Sequence, residues 1–315
     1  MAATRLFFAP DIHGSEICFL KFTNIPKYYK ADVIILGGDM TGKAIIPLIE
    51  NASGVISVDL LGTERKATTE GEMRELEGLI RNIGYYPYRT TESEVESLSL
   101  DKNRMNELFL QLTLESIERW VTIAEERLKG KDVKCFILPG NDDNFAIDSV
   151  LERSERIINP EGMVTKIDDG HEMISTGYTN KTPWNSCREL SETELSGKIE
   201  EMASGVRDMK NCIFNLHCPP HETKIDQAPK LENLKPVYVG SQPIMTSAGS
   251  IAVRHAIEKH QPLLGLHGHI HESKGFHRLG PTLCLNPGSE YSEGILKGVL
   301  VTLGDDKLQY TFTSG

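Results

Sequence analysis

The sequence predicts an α/β fold built on a largely parallel central sheet, and three observations carry that prediction. Short continuous apolar runs recur along the 315 residues. Gly, Pro or Asp bounds each run, and stretches of helical periodicity separate several of them. Runs of this length read as strands buried on both faces, as in sheets covered by helices. In such sheets ligands bind beyond the carboxyl ends of the strands.

Leu6-Phe7-Phe8-Ala9 reads as the first strand and leads into Asp11-Ile12-His13-Gly14. Residues 15–29 carry Ile17, Leu20 and Phe22 at roughly helical spacing, and Val33-Ile34-Ile35-Leu36 returns as a strand that ends on Gly37-Gly38-Asp39. That β-α-β pattern opens a parallel sheet. A long charged stretch follows from 62 to 130, in which Leu108, Leu112, Ile117, Trp120, Ile123, Ala124 and Leu128 fall at mostly helical intervals. The expectation is a helical insertion over about 62–130 within one domain spanning 1–315. Its aromatic tip at 84–89 reads either as a cover for a ligand or as packing.

Cys135-Phe136-Ile137-Leu138 then precedes Gly140-Asn141-Asp142-Asp143, and Cys212-Ile213-Phe214 precedes His217 in His217-Cys218-Pro219-Pro220. Leu263-Leu264-Gly265-Leu266 precedes His267-Gly268-His269-Ile270-His271. Runs at 170–175, 280–285 and 298–303 suggest a second sheet packed on the first. A helix is expected over 249–260, with Ile251, Ala252, His255, Ala256 and Ile257 on one face and Ser247 or Ser250 as its cap.

Hydrophobic residues make up 39% of the chain, enough for a sizeable core. A formal net charge of -11 argues against a broad basic surface for nucleic acid, which relies on Lys and Arg to neutralise phosphates. A small phosphate ester held by metals escapes that objection. No run of about 18 uncharged apolar residues occurs, so no transmembrane helix is expected. Pro10 and Asp11 interrupt the N-terminal apolar run, which speaks against a signal peptide and for a cytoplasmic location. The six cysteines, Cys18, Cys135, Cys187, Cys212, Cys218 and Cys284, lack paired spacing and read as reduced thiols. Composition leaves a homo-oligomer open.

The five polar clusters supply oxygen and nitrogen donors at five strand ends. Asp11 and His13 flank one residue, and extended backbone would place both side chains on one side. Asp39 can bridge two cations with its two oxygens, and the preceding glycines allow close backbone approach. Asn141 offers an amide oxygen, His217 an imidazole, and His269 with His271 a second spaced pair. This donor set suits manganese, iron or zinc, with nickel and cobalt also open, rather than calcium with its oxygen shell. Two such cations about 3.5–4 Å apart clamp a phosphoryl group and generate hydroxide at neutral pH.

In this order the five clusters resemble the calcineurin-like metallophosphoesterase family. The resemblance spans Asp11 to His271 and extends to Asn286-Pro287-Gly288-Ser289. It implies a four-layer αββα sandwich and a metal-dependent phosphoesterase that attacks phosphorus with metal-bound hydroxide. It also implies Asp11, His13 and His271 on one metal, Asp39 bridging, and Asn141, His217 and His269 on the second.

The chain departs from the family at Asp142, where many members carry a histidine that assists the leaving group. A carboxyl there donates a proton only where burial or a neighbour such as Asp143 keeps it protonated. Members lacking the histidine tend to act on diesters or activated esters, so the resemblance favours phosphodiesters, with manganese as the expected metal. Monoesters or nucleotides, and a metal-binding scaffold with an impaired site, are the alternatives. Asn141, Asp142 and Asp143 are the expected catalytic set. Arg188, able to offer phosphate a bidentate fork, Trp184 and His221 are expected substrate contacts, though their loops read equally as ordinary surface. His267 is expected behind the ligands.

Overall fold

A computed structural model of the chain describes residues 3–304 and 308–315. In chain order the principal elements begin with β1 (Thr4–Ala9), α1 (Glu16–Tyr29), β2 (Val33–Gly37), β3 (Ile45–Glu50), β4 (Ile56–Leu60), β5 (Thr63–Ala67), α2 (Glu70–Asn82) and β6 (Tyr86–Thr90). There follow α3 (Glu92–Leu100), α4 (Lys102–Leu128), β7 (Lys134–Leu138), β8 (Ile157–Ile158), β9 (Val164–Lys166) and β10 (Glu172–Thr176). The remainder comprises α5 (Glu192–Ser204), β11 (Cys212–Leu216), α6 (Ile251–His260), β12 (Leu264–Leu266), β13 (Gly275–Leu279), β14 (Thr282–Asn286), β15 (Lys297–Leu303) and β16 (Gln309–Ser314).

Two six-stranded sheets organise these elements. The first runs β16-β15-β1-β2-β7-β8 and the second β13-β14-β12-β11-β10-β9. Strands β1, β2, β7 and β8 are parallel neighbours, with Phe8 opposite Ile35 and Ile35 opposite Phe136. Strands β10, β11, β12 and β14 are likewise parallel. The continuous apolar runs follow from burial of both strand faces. Leu6, Phe8, Ile35 and Phe136 cluster with Ile213, Leu264 and Leu285 of the second sheet. The alternate residues Phe7, Ala9, Ile34 and Leu36 pack with Phe19 and Phe22 of α1 and Trp120 of α4. On the far side, Phe214 and Cys284 meet Leu195 and Ile199 of α5 and Val253 and Ile257 of α6. Each large apolar side chain removed from water in these clusters contributes about 1.5–3 kcal/mol.

Three sequence expectations need correction. The segment expected as a helical insertion is mixed: β5-β4-β3-β6 form a four-stranded sheet beneath α2, and the sheet starts at Ile45 rather than near 62. Most of α4 lies outside that unit, because Ile117, Trp120, Ala124 and Leu128 bury against the first sheet and α1, with the Phe19 and Trp120 rings stacked at 4.3 Å. The run near 298–303 joins the first sheet, pairing antiparallel with β1 through Phe8 and Val299. The aromatic tip is half strand, with Tyr86 buried in β6.

Helix α6 begins one residue after Ser250, whose hydroxyl accepts from the Val253 amide, so Ser250 and not Ser247 is the cap. Thr69 and Glu72 cap α2 reciprocally. All six cysteines are free, five of them buried and Cys187 exposed. Among the described residues, no helix is long and apolar enough to cross a membrane.

Candidate metal centre

The five polar clusters lie just beyond the carboxyl ends of β1, β2, β7, β11 and β12, and the parallel pairing brings those ends together. The backbone there leaves the strand conformation. Asp11 (φ 54°), His13 (φ 35°), Asp39 (φ 49°) and His269 (φ 65°) are all left-handed. Such residues cost on the order of 1–3 kcal/mol each and persist where the surroundings fix them. Asp11 and His13 therefore converge through a strained turn, not through the strand alternation expected from their spacing. Main-chain bonds hold that turn to the next loop: the amides of Asp11, His13 and Gly14 donate to the carbonyls of Gly38, Asp39 and Met40 at 3.0, 3.0 and 2.8 Å.

Three three-donor groups result: two are built from the expected ligands, and a third joins His13 and Asp39 to the exposed Asp142. Asp11, His13 and His271 offer ligand atoms within 4.8 Å of one another, as do Asp39, His217 and His269. Asp39 faces both groups, its Oδ2 lying 3.7 Å from His13 Nε2 and 3.5 Å from His217 Nε2. The Asp11 carboxylate accepts from the His269 amide at 3.0 Å and lies 3.6 Å from His271 Nε2. Close approach of the loops depends on Gly38, where φ is +110° and a Cβ would stand 2.2 Å from His217 Nδ1.

Asn141 is buried beside these groups, tied to them through Asp142, whose amide donates to Asp39 Oδ1 at 3.0 Å. Donor chemistry tests whether cations fit. His217 Nδ1 donates to the Gly37 carbonyl at 2.8 Å, which turns Nε2 towards the carboxylates. At 3.5 Å from Asp39 that Nε2 is too far for a well-formed hydrogen bond, and it has no other partner. Asn141 Oδ1 is also buried without a partner. A buried amide oxygen and a buried imidazole nitrogen without hydrogen-bond partners, beside two carboxylates, are donors that a divalent cation satisfies once the imidazole releases its proton.

Charge within the cluster is correspondingly tense. His13 and His271 meet Nε2 to Nε2 at 3.0 Å, so one ring must carry the shared proton. Burial, reinforced by the Lys43 charge, holds His13 well below the ordinary histidine range. Burial opposes protonation of His271 too, but its hydrogen bond and charge attraction to Asp11 prevail and raise it. Both shifts favour His271 over His13 as the protonated ring of the pair. Burial pushes Asp39 up to about 6 despite the pull of His217. At His217 the Asp39 and Asp11 carboxylates outweigh burial and raise it to about 9. His269 is driven down to about 3 by burial and by His217, which leaves it neutral.

The other expected site residues fall in different places. Asp142 is exposed at the mouth, 3.3 Å from Lys43 Nζ, and accepts from Asn141 Nδ2 at 2.9 Å and Ser186 Oγ at 2.8 Å. Those contacts make it an acceptor in this arrangement, its charge offset by Lys43. Asp143 is fully buried behind the donors, accepting from the amides of Met40, Thr41 and Gly140 and from the Thr41 hydroxyl at 2.6–3.0 Å. It clamps two loops and presents no atom to the cleft.

Arg188 is 1% exposed. Its guanidinium donates to the Asp143 carbonyl at 3.0 Å and Asp148 at 2.7 Å and lies over the Phe145 ring, so no fork is free for phosphate. Trp184 is 65% exposed on its loop, and His221 sits 3.8 Å from buried Asp226. His267 backs the site, its Nδ1 2.7 Å from the Leu216 carbonyl. Two residues at the mouth escaped the sequence reading. Lys43 follows Asp39 by four residues, and the Tyr291 ring lies 4.8 Å from that of His13.

An α/β chain with two adjoining groups of carboxylate and imidazole donors is a candidate two-cation protein. No family model matches the chain. An uncharacterized protein, MJ1162 of Methanocaldococcus jannaschii, is 29% identical over 176 residues, covering 55% of this chain and 70% of its own. Among solved structures, protein TT1561 of Thermus thermophilus aligns with a TM-score of 0.52 at 14% identity over 98% of this chain and 99% of its own. A further crystal structure aligns with a TM-score of 0.60 at 14% identity over 98% of both chains. The two structural likenesses show a shared fold across nearly the whole length.

Proposed function

We propose that the chain is a dinuclear-metal phosphoesterase, a single domain of the calcineurin-like metallophosphoesterase type that hydrolyses small phosphate esters, phosphodiesters above all. One observation carries this reading: the two three-donor groups share a cleft, with Asp39 Oδ2 facing an imidazole from each. Alternation of three apolar clusters, between the sheets and outside each of them, supports the four-layer αββα arrangement. The free cysteines suit a reducing cytoplasm.

In this reading Asp11, His13 and His271 hold one cation, Asp39 is shared, and His217, His269 and Asn141 hold the second. Manganese fits the mixed donors, and iron, zinc, nickel and cobalt share that chemistry. When bound, such a pair neutralises phosphoryl oxygens and supplies a nucleophile from water at neutral pH. The chain's own residues do the rest. Gly37 orients His217, Asp143 fixes the loops that carry Asp39 and Asn141, and Lys43 holds a positive charge beside Asp142 at the mouth, where it would favour a departing oxygen anion.

Asp142 accepts hydrogen bonds and pairs with Lys43, which leaves no evident acid in the place of the family's histidine. That favours diesters and activated esters over monoesters. Hydrolysis of a chromogenic phosphodiester against its matching monoester, in manganese and with metal-free protein as control, tests this. Metal-dependent preference for the diester is expected; a monoester preference would overturn the part assigned to Asp142 and Lys43.

A further inference from the structure

One recess adjoins the candidate centre, and a second lies beside it with Asn106 and Phe109 in the walls of both. The nearer, of about 410 Å³, is walled by Thr41, Asp142 and Asn144 on the metal side and by Asn106, Phe109 and Leu110 of α4 on the other. The farther, of about 260 Å³, continues past the shared Asn106 and Phe109 and is lined by Ile45, Tyr88, Val95 and Met105. The near end belongs to the centre, because the Asp142 amide bonds Asp39. Polarity falls from the near recess, which holds the Asp142 and Glu107 carboxylates and the Thr41 hydroxyl, to the aliphatic and aromatic side chains between β3, β6, α3 and α4.

No Lys or Arg lines either recess, so nothing along the slot would hold a second phosphate. Ile45, Tyr88, Val95, Met105 and Phe109 remain only half-buried. They are apolar surface that folding leaves in contact with water and that an apolar ligand would cover. We propose that this slot seats the hydrocarbon arm of the substrate, which is a phosphate ester of an alkyl chain, its phosphate at the cations and its chain running over Phe109 into the far recess. The inference rests on the two-cation reading for the phosphate end and on the recess alone for the chain. A nucleotide is disfavoured by the missing cations and by the loss of polar partners beyond Asn106.

Calorimetric titration of manganese-loaded protein with octylphosphonate and methylphosphonate tests the inference without turnover. Each methylene withdrawn from water is worth about fourfold in affinity, so with roughly four or five of the seven added methylenes covered in the half-open slot the octyl compound is expected to bind on the order of 10²–10³-fold tighter. Asn106→Trp, at an exposed position in the walls of both recesses, is expected to weaken octylphosphonate at least tenfold more than methylphosphonate. Val95→Asp in the far recess is a second, independent variant, and melting curves establish that both are folded. Equal affinity for the two phosphonates, no binding of either, or tighter binding of adenosine monophosphate would each overturn the inference. Failure of the two-cation reading looks different: the chain-length gain persists while manganese leaves phosphonate affinity unchanged.

Discussion

Gly268→Ala probes the centre through a residue that is not itself a ligand. Gly268 lies between the two groups, its amide donating to the His217 carbonyl at 2.9 Å. An added Cβ would stand 2.4 Å from Pro10 Cβ and 2.5 Å from Asp11 Oδ2, and real Cβ atoms essentially never approach within 3.0 Å. Its φ lies outside the left-handed region, so the cost of alanine is steric rather than conformational. Pro10 follows β1 directly and yields little. Restoring ordinary contact at 3.4 Å therefore displaces the Asp11 carboxylate by about 0.9 Å. Metal–ligand distances tolerate about 0.2 Å. Disturbance of a ligand's support alone typically costs 10–100-fold in affinity, so manganese affinity is expected to fall by at least about 100-fold. Overpacking of this kind costs about 1–3 kcal/mol, which the fold survives. Calorimetric manganese titration, with thermal melts as the folding control, reads both quantities. An alanine protein that binds manganese within about threefold of the parent would refute the assignment of Asp11 as a ligand.

Three further outcomes follow from the same geometry. Lys43→Ala is expected to lower kcat/KM for a phosphodiester by about tenfold, the worth of one charge-assisted hydrogen bond, with metal content unchanged; a parallel loss of metal would place Lys43 in support of the ligands instead. Arg188→Ala should destabilise the fold by about 2–4 kcal/mol in urea unfolding, because it strips the partner from Asp148 and two loop carbonyls; a raised KM at unchanged stability would restore its phosphate-binding role. Burial holds His267 down at about 4, against an ordinary 6.5. The unfolded chain thus binds the extra proton between those values, and stability is complete above about pH 6.5 and lost as pH falls towards 4. The loss by pH 4.5 is about 2–3 kcal/mol, and His267→Gln should flatten that limb in pH-dependent melts.

The strands that carry the site were legible because both of their faces are buried, which writes an uninterrupted apolar run before each polar cluster. The clusters themselves were legible as residue types that packing does not call for. What the sequence concealed is long-range. Strand β5, Thr-Glu-Arg-Lys-Ala, exposes four of its five residues and so shows no strand alternation, which hid the four-stranded sheet within an apparently helical segment. The pairing of β15 with β1 joins residues almost 300 positions apart, and no local pattern assigns it to one sheet over the other. Burial of Arg188 depends on Asp148 and Phe145 folding over it, whereas its loop composition reads as surface. Lys43 and Asp142 are unremarkable apart and meet only when the loops after β2 and β7 converge. The left-handed turn at Asp11 and His13 reverses the local geometry that spacing alone suggests, although both residues still reach one cation-sized space.

The central claim is a pair of cations held by Asp39 between two sets of donors. Elemental analysis of the protein after saturation with manganese and removal of free metal tests it most directly, run in parallel on Asp39→Asn. About two manganese ions per chain are expected in the parent and clear loss from the variant, with diester hydrolysis rising as the second equivalent binds. A single ion or none at saturation, or full occupancy in Asp39→Asn, would contradict it.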